Sequence, residues 1–301
     1  MTVPPQQSRP TCSGSPHATR GATRVEAREG PVGAYGLRLA GVEEIAELFV
    51  PAPADWVPLE LVCRTGEPTE THERLEARRA VLRSSNGAAI EVDLEQARVV
   101  FTAPWGPTLD EVVHPYLASV ASVVAYWRNE ESLHAGAFVT AEGAWGVVGE
   151  HEAGKSAILA ALADRGLPVL TDDLLVLRRE TALAGPRTLD LREDVAQALG
   201  VGASIGVVGT RERWRVTVGP VDAEVPLRGW VFLEWADRRE IARLSSAEGL
   251  GRLVPQRGIR VPPGDPSALL ELARLPSVVF RRPHDLDGLS EDLDRLLEAI
   301  G

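Results

Sequence analysis

Through its first hundred residues the chain alternates apolar and polar positions at the period of a half-buried strand. The stretch AYGLRLAG (34–41) predicts a strand leading into a turn. VPLELVCR (57–64) predicts another, and GAAIEVDLEQARVVFTAP (87–104) holds two more, AIEVDL and ARVVFTA. Between them VEEIAELFVP suits a short helix and a strand equally, and TGEPTETHER predicts an exposed loop. Near residue 108 the period changes. TLDEVVHPYLASVASVVAYWRN spaces its apolar residues helically, with Thr108 or Asp110 as N-cap and His114-Pro115 near the start or at a kink. Two strands follow, LHAGAFVT and AWGVVG, joined through Ala141, Glu142 and Gly143. Next come a helix in GKSAILAALADRG, stopped by Gly166, and a strand in LPVLTDDLLVLRRE with two aspartates near its middle. The last third alternates strands (RWRVTVG, LRGWVFLEW, SVVFRRP) with helices (EDVAQALG, DPSALLELARL, LSEDLDRLLEAIG). Asp265-Pro266 reads as a cap and first-turn pair.

This order predicts an α/β chain, α+β overall, in three parts: a flexible tail over 1–30, a mainly β subdomain over 31–107, and an α/β region over 108–301. At 301 residues, 44% hydrophobic and 25% charged, the chain has the material for a real core. Its net charge of -11 argues against nucleic acid or an anionic membrane surface as partner. No run reaches the roughly 18 apolar residues of a membrane span. The first thirty residues lack the apolar stretch of a secretory signal. The two cysteines, Cys12 in the tail and Cys63, fit a reducing cytoplasm better than a structural disulfide.

The candidate chemistry begins where AWGVVG ends. Gly149-Glu150-His151-Glu152-Ala153-Gly154-Lys155-Ser156, with Ala157 next, fills the pattern G-x-x-x-x-G-K-[ST]. A strand precedes it and a helix follows, so backbone N–H groups and the helix N-terminus would converge on phosphates. Lys155 would reach the outer phosphates and the Ser156 hydroxyl would ligate Mg²⁺. Composition singles out the same residue: of 32 basic side chains, 31 are Arg and one is Lys, and that one is Lys155. A lysine is a compact charge on a flexible stem, which suits a tight loop better than the planar fork of arginine. Asp172 and Asp173 lie 17 and 18 residues further on. Neighbours on a strand face opposite ways, so the pair should divide its roles unless the backbone turns there. Such acids can bind metal or accept the proton of an attacking hydroxyl. His134, 21 residues before Lys155, reads by itself as a structural hydrogen-bonding residue.

Taken together, LHAGAFVTAEGAWGVVGEHEAGKSAILAALADRGLPVLTDD resembles the catalytic domain of the HPr kinase/phosphorylase family and its smaller peptide-modifying relatives. The resemblance implies a P-loop kinase core of the HPr-kinase/PEP-carboxykinase type behind a mainly β subdomain. It implies that Gly149 to Ala157 hold ATP or another nucleoside triphosphate with Mg²⁺. Asp172 would then be the base, Asp173 would support it or the metal, and His134 would orient the phosphate or Asp172. For the family's further metal-binding acid, Glu193 and Asp190 in LDLRED are the candidates. The acceptor would be a hydroxyl, Ser or Thr, of a peptide or small molecule, and assembly of relatives leaves a homo-oligomer open. The loop departs from the family at His151 and Glu152, which replace Ser and Gly. A carboxylate facing the triphosphate would repel it by about 1 kcal/mol at 4 Å in water. A second expectation therefore stands beside the kinase: a non-catalytic nucleotide- or peptide-binding protein with a degenerate loop. A transporter-type ATPase would need an LSGGQ-like signature, which LSSAEGLGRL does not supply.

Overall fold

A computed structural model describes residues 30–70, 72–261, 265–286 and 288–301. The tail expected over 1–30, Cys12 included, lies outside them except for Gly30. The chain is a mixed α/β protein. Its N-terminal part is one sheet of β1 (Val32–Ala34), β2 (Leu37–Ala40), β3 (Val50–Pro51), β4 (Val57–Thr65), β5 (Arg74–Leu75), β6 (Arg79–Arg83), β7 (Ala89–Asp93) and β8 (Arg98–Ala103). They lie in the order β3-β1-β2-β4-β8-β7-β6-β5. The stretch expected as a single strand, 34–41, is half of a hairpin. Tyr35 (φ 59°) and Gly36 (φ 81°) both take left-handed backbone, so a two-residue turn reverses the chain. The ambiguous stretch after it divides into a 3-10 turn, Glu43–Leu48, and the short β3. The pattern does not predict β5, an edge strand, or its neighbour β6: arginines at 74, 78, 79 and 83 blur the alternation, and charge is what guards a sheet edge.

Helix α1 (Leu109–Glu111) is capped by Thr108, not Asp110. Glu111 N donates to Thr108 Oγ1 (3.2 Å) and Thr108 N to Glu111 Oε2 (3.1 Å), a capping box. His114, the residue before Pro115, leaves the helical region (φ -150°, ψ 127°) and kinks the segment. Beyond it α2 (Leu117–Trp127) buries Leu117, Val120, Ala121 and Val124 in one cluster with Leu61, Val99 and Phe101 of the N-terminal sheet.

Downstream run β9 (Glu131–Leu133), β10 (Ala135–Thr140), β11 (Gly143–Val148), α3 (Lys155–Asp164), β12 (Val169–Thr171), β13 (Leu175–Arg178), β14 (Thr181–Leu183), β15 (Thr188–Leu191), α4 (Glu193–Leu199), β16 (Ala203–Val208), β17 (Arg211–Thr217), β18 (Glu224–Trp235), β19 (Glu240–Arg243), α5 (Ser246–Leu253), α6 (Ser267–Leu272), β20 (Ser277–Arg282) and α7 (Leu289–Ile300). The part of the sheet that leads into the Gly149–Ser156 loop reads β12-β10-β11-β18-β20, with β11, β18 and β20 parallel and β10 antiparallel to β11 and β12. Strands β15, β17 and β16 form a separate small sheet.

One expectation needs correction. LPVLTDDLLVLRRE is not one strand. It breaks at Asp172 and Asp173 into β12, which pairs with β10, and β13, which pairs with β9 and β14. The Thr171 hydroxyl donates to the Leu174 carbonyl at 2.7 Å and holds the turn between them. The alternation rule for the two acids therefore does not apply. Among the described residues no helix is long and apolar enough to cross a membrane.

Candidate functional site

Register brings the candidates together. Ala135 of β10 pairs with Val148 of β11, so His134 stands beside Gly149. Ala137 pairs with Thr171, so the turn carrying Asp172 and Asp173 opens at the same rim. That rim is the C-terminal end of the parallel strands, where open α/β sheets form their ligand crevice. A cleft of about 420 Å³ lies there, lined by His134, His151 to Ala157, Asp172 and Asp173 among others.

The Gly149–Ser156 loop leads straight into α3. Gly154 caps that helix in left-handed backbone (φ 87°), and a Cβ there would come within 2.6 Å of Arg282 Nη2, so glycine is required twice over. Lys155 is 8% exposed and turns back over the loop, its Nζ donating to the carbonyls of Gly149 (2.7 Å) and Glu150 (3.3 Å). Burial lowers its pKa. Gly149 and Glu150 thus stand behind the cleft wall, contributing backbone oxygens; the Glu150 side chain is exposed.

Glu152 occupies the loop position that takes left-handed backbone (φ 66°), which explains a glycine preference there. Its carboxylate does not enter the loop. It pairs with Arg192, with Arg211 at 3.9 Å and His151 at 3.5 Å beside it, and Arg192 holds its pKa below the ordinary value. Its carbonyl accepts from Trp235 Nε1 at 3.2 Å.

Asp172 is the chemically unusual acid. Burial raises its pKa from 3.8 to about 7, reinforced by Asp173 and opposed by the Ser156 hydroxyl that hydrogen-bonds it. Its Oδ1 is inaccessible and has no hydrogen-bond partner among the described residues. Asp173 faces two histidines: His134 Nδ1 is 3.3 Å from its Oδ1 and 3.1 Å from its carbonyl, and His114 Nδ1 is 3.8 Å from Oδ2. Burial pushes the His134 pKa down.

The further metal candidates fare differently. Asp190 is 8% exposed but committed to a two-pronged pair with Arg215 (2.7 and 2.8 Å), which also holds Asp110. Glu193 is not brought to the cleft. As the first residue of α4 it faces outward and accepts from Gln197 Nε2 at 2.9 Å; Asp194 lines the cleft instead. Among the described residues no three His, Cys, Asp or Glu side chains form a ready-made metal cage. A Mg²⁺ carried in by a nucleotide needs only one or two protein oxygens besides phosphates, and Ser156 with the two aspartates offers that hard-oxygen set.

Sequence reasoning missed His114, Arg192, Arg211, Arg213, Trp235, Arg282 and His284, all lining the cleft. They come from the α1–α2 kink, the small sheet, and the ends of β18 and β20. No motif links them to the loop. The one available signal was that a parallel strand's end following the loop's strand tends to face a ligand.

No family model and no curated protein sequence matches this chain. One solved structure similar to it is the Hpr(Ser) kinase/phosphatase from Coxiella burnetii, at 14% identity and a TM-score of 0.31, covering 57% of this chain and 99% of that one. At that TM-score the likeness adds no weight to an assignment made from the site's own geometry.

Proposed function

We propose that this chain is an ATP-dependent kinase that transfers the γ-phosphate to a hydroxyl, Ser or Thr, of a peptide or small-molecule acceptor. The observation that carries this is Asp172: a carboxylate with an unpartnered inner oxygen and a pKa raised to about 7, against the hydroxyl of Ser156 and near enough to Lys155 for their charges to interact. A general base works best when its pKa lies near the working pH. Gly149 to Ala157 then act as a phosphate loop, with Lys155 leaving the Gly149 and Glu150 carbonyls to meet the outer phosphates. Ser156 and Asp173 would hold Mg²⁺, which supplies charge neutralisation for the departing ADP. Asp172 removes the acceptor hydroxyl's proton as that oxygen bonds to the γ-phosphorus; the bond from phosphorus to the β–γ bridging oxygen breaks, and ADP leaves with that electron pair. His134 fixes the turn that aims both acids.

The outward turn of Glu152 onto Arg192 removes the objection that an acid in the loop repels nucleotide. A second reading, a nucleotide binder without turnover, draws on Glu152, a non-glycine residue held in left-handed backbone inside the loop. Incubation with Mg-ATP and candidate hydroxyl-bearing peptides, followed by mass spectrometry, separates the two. The kinase reading expects a phosphate-sized mass gain that Asp172→Asn abolishes while nucleotide still binds. ATP binding without any transfer or hydrolysis supports the second reading.

A further inference from the structure

The strand order gives the cleft two ends. Strands β12 and β10 lie on one side of β11; β18 and β20 lie on the other. The first end carries Asp172, Asp173 and His134. The second runs past Gly154 to Trp235, His284, Asp285 and Leu286, residues that the proposed reaction does not use. We infer that this second end seats the nucleoside half of the nucleotide, a flat uncharged base with hydrogen-bonding edges, with Arg282 beside the phosphate nearest to it. The inference rests on the kinase reading.

Three observations carry it. Direction comes first: if the transferred phosphoryl group lies at Asp172, the remainder of the molecule must extend away from the acids, and the β18–β20 side is where the cleft continues. The wall there is also of the right kind. Trp235, Leu286 and the imidazole of His284 give apolar surface with a few polar groups among it, as small-molecule sites do. Trp235 is already fixed: its ring packs against His284 at 4.4 Å with the two planes tilted by 51°, and its N–H is held by the Glu152 carbonyl, so little ordering remains to be done on binding.

Arg282 is the strongest pointer. It is 2% exposed, its guanidinium lies 4.3 Å over the Trp235 ring, and Nη1 donates to the Asp285 carbonyl at 2.9 Å. Its Nε and Nη2 have no partner among the described residues, and Nη2 lies against Gly154 at the N-terminus of α3. A buried cation with two unpaired N–H groups, set beside the positive end of a helix dipole, is unfavourable and is relieved by an anion. Stacking on Trp235 links that anion site to the aromatic wall.

The test compares Mg-ATP with Mg-tripolyphosphate, which lacks the nucleoside, by titration calorimetry. Wild type is expected to bind both, ATP more tightly. Trp235→Leu and His284→Ala should weaken ATP by about tenfold while leaving tripolyphosphate within about twofold, in the range of one lost base contact. Arg282→Met should weaken both ligands. His284 is exposed, so His284→Ala decides the matter if Trp235→Leu fails to fold. Unchanged ATP affinity in His284→Ala, or equal weakening of both ligands, overturns the nucleoside assignment and leaves the phosphate loop standing. Tripolyphosphate affinity that survives Lys155→Ala, or a wild type that binds neither ligand, overturns the phosphate-loop reading itself and the inference with it.

Discussion

His134 Nδ1 lies 3.1 Å from the carbonyl oxygen of Asp173, across the gap between β10 and the turn that ends β12. A carbonyl can only accept, so Nδ1 carries the proton and Nε2 is left bare. The same ring edge sits 3.3 Å from the Asp173 carboxylate. One histidine thereby fixes the backbone and the side chain of the residue beside the proposed base.

This fixes what removal of His134 should do. His134→Ala frees the Asp172–Asp173 turn and is expected to lower kcat by about 10–100-fold, the order seen when a catalytic group is misplaced by an ångström. His134→Asn keeps an N–H donor and should recover part of the loss. Steady-state kinetics of the two variants checks it; equal rates in both would show that the hydrogen bond is not what matters.

Asp172 predicts a pH profile. Its carboxyl ionises at about 7, so the basic form grows as pH rises from 6 to 8 and kcat/KM should rise with it. Asp172→Asn should lower kcat by about 10²–10⁴-fold and flatten that limb.

The same residue predicts a stability effect of opposite sense. Folded Asp172 titrates near 7, whereas the unfolded chain titrates near 3.8. The unfolded state therefore releases its proton first as pH rises, and folded stability falls between about pH 4 and 7. Asp172→Asn should raise the Tm at pH 8 by about 2–4 °C for each kcal/mol recovered, and the gain should vanish at pH 4. Thermal melts at the two pH values read it directly.

Glu152 pairs with Arg192 at the rim of the loop. Glu152→Gln removes a negative charge near the phosphates and frees that arginine. Because that carboxylate is turned out of the loop and already paired, ATP affinity should rise by no more than about twofold at low salt, and the rise should vanish in 0.5 M salt. Weaker binding would mean that Glu152 instead holds Arg192 in a phosphate-binding pose.

Tyr35 reaches from the N-terminal hairpin to the Asp172–Asp173 turn. It is 5% exposed and hydrogen-bonds Thr171, whose own hydroxyl secures Leu174 across the turn. Tyr35→Phe should cost about 0.5–1.5 kcal/mol of stability. If it also lowers kcat with KM unchanged, the N-terminal sheet is positioning the acids; a change in Tm alone would limit Tyr35 to support.

The local structure of this chain is largely legible in its sequence. Periodicity gave the strands over 57–64, 87–104 and 227–235 and the helices after Lys155 and at the C-terminus, because each element shows its own neighbours a regular apolar face. Loop spacing and the single lysine mark out the Gly149–Ser156 loop, because both are read from residues adjacent in sequence. The hairpin at Tyr35 and the break at Asp172–Asp173 were missed: one needs a non-glycine residue in left-handed backbone, and the other is held by a side-chain bond within the turn. The spacing of LDLRED offers Glu193 and Asp190 alike, and only the packing of the helix sets Glu193 against Gln197 and puts Asp194 on the cleft. What tertiary structure alone decided is the company the loop keeps. Arg192, Arg211, Trp235, Arg282 and His284 arrive from strands far away in sequence, and the direction of the Glu152 carboxylate follows from them. Strand order, set by burial of the whole sheet, determines those neighbours, and no local pattern encodes it.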